Sequence, residues 1–295
     1  MKKTVSFEEK ADDLYLLKIP FAGIWTGVYL IKRDRNILID SGFDADGVDS
    51  VILPALRELD LDIKDIDLLL CTHTHGDHIG GHARLKQMGI AEIGVYSAGV
   101  DKIRNPLKYN KLIRSVFPGY SPPSPAVLDG VEPDLVFEDG AEISGLRLIA
   151  APGHDSDCVC FLDTGSGTLL TGDSVQGNGT ITQGCALYMS LPDYESTLNK
   201  LQHLAVEQVI TGHPFLPWNE ECIKKQKAFT DCLELLKKYD AFLSENAGMP
   251  LPELSAGLIR HLKGKVPEKL FLAMYTVREH LKKGKRNGFK QCQNP

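Results

Sequence analysis

One short stretch of the sequence concentrates side chains that bind metal ions. The segment CTHTHGDHIGGH, residues 71–82, holds three histidines and one aspartate within six positions: His73, His75, Asp77 and His78. Imidazole nitrogens and carboxylate oxygens are common ligands of Zn²⁺ and related ions. Side chains two positions apart on an extended backbone project to the same side, so His73 and His75 can reach one ion. Gly76 permits a tight turn that directs Asp77 and His78 towards a second point.

Four further acids and histidines follow predicted strands elsewhere in the chain. They are Asp40, His154, Asp173 and His213. In open α/β sheets, ligands bind beyond the carboxyl ends of the strands, where loops from distant parts of the sequence converge. One zinc ion takes about four ligands. These side chains, together with those of residues 71–82, exceed the requirement of one ion and predict a site for two.

Alternating strand-like and helix-like segments predict the α/β fold that would bring these residues together. The apolar run IDLLLC, residues 66–71, predicts a buried strand that ends where the histidines begin. Residues 26–42 and 158–174 each predict a β-hairpin around a short polar turn. A third hairpin is predicted from LVFEDG, residues 135–140, and LRLIAA, residues 146–151.

Two segments of the first half are harder to assign. Apolar spacing predicts a helix from about Asp46, as its N-terminal cap, to Leu59, although Pro54 argues against an unbroken helix. Residues 101–129 are rich in proline and keep neither a strand period nor a helix period for long. Insertions of this kind often cover an active site. We expect such a cover here, the alternative being a plain surface loop.

The C-terminal part of the chain is helical and basic. Residues 1–247 are predicted to form the catalytic domain, and residues 248–295 a small helical appendage with apolar residues at helical spacing. From Arg260 to Lys290 there are ten Lys or Arg residues against two acidic ones, although the whole chain has a net charge of -6. This basic segment predicts either an anionic partner or simply a solvated helix face.

Composition excludes several classes of protein. The chain is 43% hydrophobic and 24% charged, as in an ordinary globular protein, and its apolar runs are too short to span a membrane. The N-terminal segment carries acidic residues where a signal peptide needs an apolar stretch, which favours a cytoplasmic location. The seven cysteines form no CxxC pair and are predicted to be small buried hydrophobic residues.

Four motifs in this order carry a family resemblance. THTHGDH, APGHDSD, LTGDS and ITGHP resemble the metallo-β-lactamase superfamily over roughly residues 14–214. The resemblance implies an αββα sandwich. It also implies that His73, His75 and His154 hold a first metal ion, that Asp77, His78 and His213 hold a second, that Asp173 bridges both, and that Asp40 supports the site from behind. His82, His203, His261 and His280 match no motif and are predicted to be surface or packing residues.

The resemblance also implies hydrolysis by a hydroxide that bridges two divalent ions, with Asp77 orienting it or carrying its proton. Zinc is the first expectation, and iron or manganese would suit the same N and O ligands. True β-lactamases of the superfamily lack an aspartate at the position of Asp173. The chain therefore looks more like the glyoxalase II and thioesterase-like branch, which acts on small esters or thioesters. It departs from glyoxalase II at GHDSDC, residues 153–158, where a threonine and a second histidine are expected.

Two alternatives remain at this level. The C-terminal segment resembles a winged-helix-like appendage of some family members, including a branch with ribonuclease activity, so its basic face could hold RNA. A non-enzymatic regulator with the same fold is the other, although a complete ligand set argues against it. From the sequence we expect no membrane partner, and a homo-oligomer is compatible with it.

Overall fold

The computed structural model describes residues 5–218, 222–224 and 227–286 and contains two β-sheets. The first sheet has seven strands in sequential order: β1 (Glu8–Ala11), β2 (Leu14–Phe21), β3 (Ile24–Lys32), β4 (Asn36–Ile39), β5 (Leu68–Leu70), β6 (Glu92–Tyr96) and β7 (Leu135–Phe137). Strands β1 to β4 are antiparallel, whereas β4 to β7 are parallel. Asp40 and His73 therefore follow the ends of neighbouring parallel strands.

The second sheet has six strands: β8 (Glu142–Ile143), β9 (Leu146–Ala150), β10 (Val159–Asp163), β11 (Thr168–Gly172), β12 (Gln208–Thr211) and β13 (Cys222–Lys224). Their order across the sheet is β13-β12-β11-β10-β9-β8, and only the β11–β12 pair is parallel among these described strands. His154, Asp173 and His213 follow β9, β11 and β12. Candidate ligands therefore follow the carboxyl ends of strands in both sheets.

Two of the three predicted hairpins are present, as β3–β4 and β10–β11. The third prediction is wrong. Strand β7 pairs with β6 in the first sheet, whereas β9 pairs with β8 and β10 in the second. The tight turn lies at Ser144 and Gly145, both with positive φ, and joins β8 to β9. Alternating apolar residues indicate a strand but not its partner, so the crossing between sheets was not visible in the sequence.

Ten α-helices lie in the described ranges: α1 (Ala45–Gly47), α2 (Leu53–Arg57), α3 (Gly76–Ile79), α4 (His82–Gln87), α5 (Val100–Arg104), α6 (Pro106–Ser115), α7 (Leu191–Leu201), α8 (Lys227–Glu245), α9 (Leu251–His261) and α10 (Phe271–Arg286). No helix in these ranges is long and apolar enough to cross a membrane. The predicted cap at Asp46 is corrected to Asp44, whose carboxylate accepts from the N–H of Gly47. Pro54 follows a π-helical turn, Val48–Ile52, which joins α1 to α2 directly, so the helical run continues but changes its hydrogen-bonding pattern before the proline.

Apolar side chains of both sheets meet in a central core that includes Leu16, Tyr29 and Phe161. The outer face of the first sheet packs against α2 to α5, and that of the second against α7 to α10. The layers therefore run helix, sheet, sheet, helix. The predicted αββα sandwich is confirmed, including helices at the C-terminus.

The C-terminal helices share the core of the second sheet. Leu254 and Leu258 of α9 and Val277 of α10 are fully buried, beside Tyr239 of α8. Gly248 lies between α8 and α9. Because burial of each large apolar side chain stabilises by roughly 1.5–3 kcal/mol, these contacts hold α9 and α10 firmly against the rest of the chain.

Candidate metal centre

The first candidate ligand, His73, is held through a chain of hydrogen bonds behind it. Asp40 accepts from the backbone N–H of Thr72 at 2.7 Å and from its hydroxyl at 2.9 Å. Because that hydroxyl proton goes to Asp40, the Thr72 oxygen accepts from Nδ1 of His73 at 3.1 Å. Nε2 of His73 then carries a lone pair, is buried and has no hydrogen-bond partner in the described part of the chain. An orphaned buried acceptor is costly, and a metal ion would satisfy it.

Asp40 supports a second ring from an unusual backbone position. It follows β4 with a φ of 64°, a left-handed conformation that aspartate tolerates better than most residues. Its Oδ2 also lies 2.8 Å from Nδ1 of His78. One buried carboxylate therefore orients both His78 and, through Thr72, His73.

In three imidazoles, the nitrogen that points away from the centre of the cluster (the outer nitrogen) lies beside a hydrogen-bond acceptor. Nδ1 of His78 lies beside the Asp40 carboxylate, Nδ1 of His213 is 2.9 Å from the Trp25 carbonyl, and Nε2 of His75 is 3.2 Å from the Asp155 carboxylate. A carbonyl or carboxylate oxygen can only accept, so each ring places its proton on that outer nitrogen. The inner nitrogens are left as lone-pair donors. This is the arrangement that metal-ligating histidines adopt.

The atoms that face the centre of the cluster form three groups of candidate ligands, and within each group these atoms lie within 4.8 Å of one another. The groups are His73, His75 and His154; His73, His78 and Asp173; and Asp77, His78 and His213. Oδ1 of Asp173 lies 3.5 Å from Nε2 of both His78 and His213, and its Oδ2 lies 3.6 Å from Nε2 of His154. Asp173 thus lies between the group of His73, His75 and His154 and the group of Asp77, His78 and His213, with one carboxylate oxygen facing each group. The donor set and its spacing fit a site for divalent metal.

The electrostatics of the site favour positive charge. Burial lowers the pKa of His78, but Asp40, Asp173 and Asp77 outweigh burial and raise that pKa to about 10. Burial by itself would raise the pKa of Asp77. The neighbouring imidazoles, His213 first among them, have the larger effect and hold this pKa well below its usual value. Asp77 therefore stays ionised and stabilises a cation among the rings.

Three residues of the site were not singled out from the sequence. Lys102 of α5 is 3% exposed and bonds to Asp155 at 2.5 Å and to Asp157 at 2.6 Å. Asp155 orients His75, while Asp157 accepts from the backbone N–H and hydroxyl of Thr74. The available signal was the departure at GHDSDC, since Asp155 follows His154 directly. Nothing in the local sequence linked those acids to a lysine 53 positions away.

Helix α10 reaches the site through the segment that holds His154. Nδ1 of His154 lies 2.9 Å from the carbonyl of Leu187 and 2.7 Å from the side-chain nitrogen of Gln176. Thr276 of α10 donates its hydroxyl proton to the carbonyl of Ala186, directly beside Leu187. The C-terminal helix therefore helps to fix the backbone behind a candidate ligand.

A cleft of about 310 Å³ opens above the candidate ligands. His75, Asp77 and Asp173 lie at its base, and residues 106–128 and Phe271 of α10 form much of its wall. The predicted cover therefore lines the cleft, although the expectation of irregular structure there is corrected: α5 and α6 occupy residues 100–115, and α6 begins at Pro106, where a missing N–H costs nothing.

The remaining histidines lie outside the cluster, as predicted. His82 is buried with Nδ1 2.7 Å from the hydroxyl of Ser41, and His280 is buried between Tyr188 and Asp240. His203 and His261 are exposed. Of the cysteines, Cys222 is half-buried, Cys292 lies outside the described residues, and the others are buried: Cys71, Cys158, Cys160, Cys185 and Cys232.

With the fold and this cluster established, sequence comparison identifies the family. The sequence model of the metallo-beta-lactamase superfamily matches residues 26–213, which contain every candidate ligand. The chain belongs to the metallo-beta-lactamase superfamily. The family predicted from the four motifs is confirmed.

Known relatives agree with this assignment. The chain is 27% identical over 266 residues to the "Beta-lactamase-like protein 2 homolog" of Drosophila melanogaster, covering 89% of this chain and 83% of that protein. It is also 27% identical to "Atrochrysone carboxyl ACP thioesterase AgnL7" of Paecilomyces divaricatus, over 64% of this chain but only 49% of that protein. A metallo-beta-lactamase family protein from Thermus thermophilus, TTHA1429, has the same fold, with a TM-score of 0.74, 22% identity and coverage of 94% of this chain and 95% of that one.

Proposed function

We propose that this protein is a hydrolase that uses two divalent metal ions, most simply zinc, to cleave a small ester or thioester. The observation that carries the proposal is the convergence of inward-facing imidazole nitrogens and the carboxylates of Asp77 and Asp173 at the base of a largely apolar cleft. Members of the superfamily are generally hydrolases. Among the possible ester and thioester substrates, a relative named as a thioesterase supports a thioester.

Each candidate ligand has a place in this proposal. His73, His75 and His154 would hold one ion, Asp77, His78 and His213 the other, and Asp173 would contact both. Bound there, the two ions would supply an activated water and polarise the scissile carbonyl. Asp40 and Asp155 keep the rings of His78 and His75 in the required orientation.

Asp77 is the residue proposed to transfer the proton of the attacking water. Its Oδ2 lies 3.3 Å from Nε2 of His213, its side chain is 23% exposed, and it lines the cleft. A carboxylate at this point can accept a proton from the attacking water and return it to the departing alkoxide or thiolate.

Some basic side chains of the C-terminal segment are paired with acidic residues. Lys283 of α10 bonds to Glu195 and Asp240, and Lys282 bonds to Glu279. Basic side chains engaged in such pairs are less available to phosphates. The side chains at positions 285 and 286 and the residues from 287 onwards lie outside the described part of the chain.

The test is an assay of the zinc-loaded protein on 4-nitrophenyl acetate, acetyl-CoA and single-stranded RNA. We expect hydrolysis of the ester or the thioester, and an Asp77→Asn variant with kcat reduced about 10²–10⁴-fold. Loss of zinc with EDTA should abolish turnover and its return should restore it. Full turnover by an Asp173→Ala variant, or cleavage of RNA alone, would overturn the proposal.

A further inference from the structure

The cleft above the candidate ligands has one cationic side chain other than histidine in its described lining, Arg114 of α6. Six apolar side chains of the lining come from residues 106–128, from the loop before α7 and from the start of α10: Ile113, Pro122, Leu128, Leu187, Phe271 and Leu272. A volume of about 310 Å³ lies at the small end of ligand pockets. The cleft therefore suits a short apolar chain with one place for a charge.

Arg114 is half-buried and fixed in position. Its Nη1 donates to the carbonyl oxygens of Pro122 at 3.1 Å and Pro123 at 2.8 Å, and its Cζ lies 5.8 Å from the centre of the Phe271 ring. These contacts hold the guanidinium without neutralising it. An arginine held in this way is pre-organised for an anion, since less side-chain entropy is lost on binding.

No carboxylate pairs with Arg114 within the described ranges. By contrast, Arg104, ten positions earlier, pairs with Glu132 on the surface. Burial lowers the pKa of Arg114, and Asp77 is the acidic group whose charge acts against this. The half-buried guanidinium is thus available for a charge-assisted hydrogen bond to an anionic group of a ligand.

We infer that the substrate is an ester or thioester whose acyl chain is apolar and ends in a carboxylate, and that Arg114 binds this carboxylate. The inference rests on the proposed function and specifies its substrate class. The charge is assigned to the acyl part because Ile113, Leu128 and Phe271 match methylene groups, whereas common thiol leaving groups are polar along their length. Arg114 is a specificity-determining residue in this scheme and takes no part in bond cleavage.

The experiment compares matched pairs of substrates with the zinc-loaded protein. Mono-4-nitrophenyl esters of the dicarboxylic acids from succinate to suberate are set against neutral 4-nitrophenyl esters of equal chain length. We expect kcat/KM for at least one anionic ester to exceed that of its neutral partner by about tenfold to a hundredfold, chiefly through KM. In Arg114→Gln the ratio of kcat/KM for the anionic ester to that for its neutral partner should fall to about one, and Arg114→Lys should restore part of the preference.

Arg104→Gln is the control, because Arg104 lies in the same insertion but outside the cleft. Equal losses for both members of a pair in Arg114→Gln would mean that Arg114 only supports residues 122–123, and would overturn the inference. So would a neutral ester preferred at every length, or an unchanged preference in Arg114→Gln, which would place the carboxylate on the metal ions.

A second measurement separates this inference from the proposed function. Calorimetry on the zinc-loaded protein compares binding of adipic acid mono-N-methylamide with that of N-methylhexanamide, neither of which needs to be hydrolysed. Failure to hydrolyse any ester would overturn the proposed function. Tighter binding of the anionic amide, lost in Arg114→Gln, would still support the role of Arg114, and its absence would overturn it.

Discussion

Nε2 of His78 lies 3.2 Å from Nε2 of His213, although the opposite nitrogens of both rings are held by acceptors, the carboxylate of Asp40 and the carbonyl of Trp25. When both rings are neutral, two lone pairs face each other at this distance. Only a proton or a metal ion between or beside them makes the arrangement favourable. This relationship is the strongest local argument for a cation in the site, and the first prediction follows from it.

We expect the purified protein to contain two equivalents of transition metal by elemental analysis. Metal that binds only the folded state stabilises it by RT ln(1 + [L]/Kd), about 2.7 kcal/mol at 100 Kd. EDTA should therefore lower Tm, and added zinc should restore it. His213→Ala should retain one equivalent and lose the other. A metal-free protein whose Tm does not respond to zinc would contradict the assignment.

Asp155→Asn should weaken the binding of metal by the folded protein. The carboxylate that holds Nε2 of His75 at 3.2 Å becomes an amide that no longer fixes the ring proton. Loss of such a partner typically costs 10–100-fold in metal affinity, which competition with a chromogenic chelator measures. The matched control is Asp163→Asn, a buried aspartate paired with Arg33 and remote from the ligands. Equal affinities in Asp155→Asn and the parent protein would refute a role in orienting His75.

Lys102→Met should strongly destabilise the fold. The lysine is 3% exposed and neutralises Asp155 and Asp157, which are themselves buried. Breaking a buried ion pair by removing one partner costs about 3–5 kcal/mol, because the other charge stays buried. Lys86→Met is the control, since its pair with Asp134 is exposed and contributes about 0–1 kcal/mol. Urea denaturation of the metal-free proteins measures both, and a similar small loss in each variant would contradict the prediction.

The pair of Arg33 and Asp163 should make stability depend on pH. Burial raises the pKa of Asp163, but hydrogen bonds from Arg33 and Ser166 outweigh burial and lower it. A lowered pKa in the folded state stabilises the protein above the unfolded value of about 3.9, and this contribution is lost as pH falls through the folded value. Asp163→Asn should therefore be less stable than the parent by about 1.5–3 kcal/mol at pH 7, with a smaller difference near pH 3. Urea denaturation at constant ionic strength checks this; a difference that does not change with pH would refute it.

Gly212→Ala should disturb the site through Asp173. A Cβ at Gly212 would lie 2.8 Å from Oδ1 of Asp173 and 3.0 Å from Cε1 of His78, both closer than ordinary contact. We expect reduced metal content by elemental analysis. Gly89→Ala probes the general cost of replacing glycine, since a Cβ there meets nothing within 4 Å, although its φ of 95° adds strain. Full metal content in Gly212→Ala would show that the site can shift to accommodate the methyl group.

The fold was largely predictable because its signals are local. Apolar runs and turn residues indicated most of the strands, and the β3–β4 and β10–β11 hairpins followed from short turns. The hairpin assigned to residues 135–151 failed because β7 and β9 belong to different sheets. Choosing between those partners depends on contacts made across the whole domain. Local spacing carries no information about them.

The sequence by itself determined the family and the types and order of the candidate ligands, because THTHGDH and the three later motifs are short and their spacing is specific. Only the tertiary structure decided which nitrogen of each ring faces inward. That choice depends on partners far away in the chain, such as Trp25 for His213 and Asp155 for His75, 188 and 80 positions apart. The same holds for Arg114 and Phe271, which line one cleft only because α6 and α10 pack together. Long-range packing, which no local pattern records, sets the orientation of the ligands and the chemistry of the cleft above them.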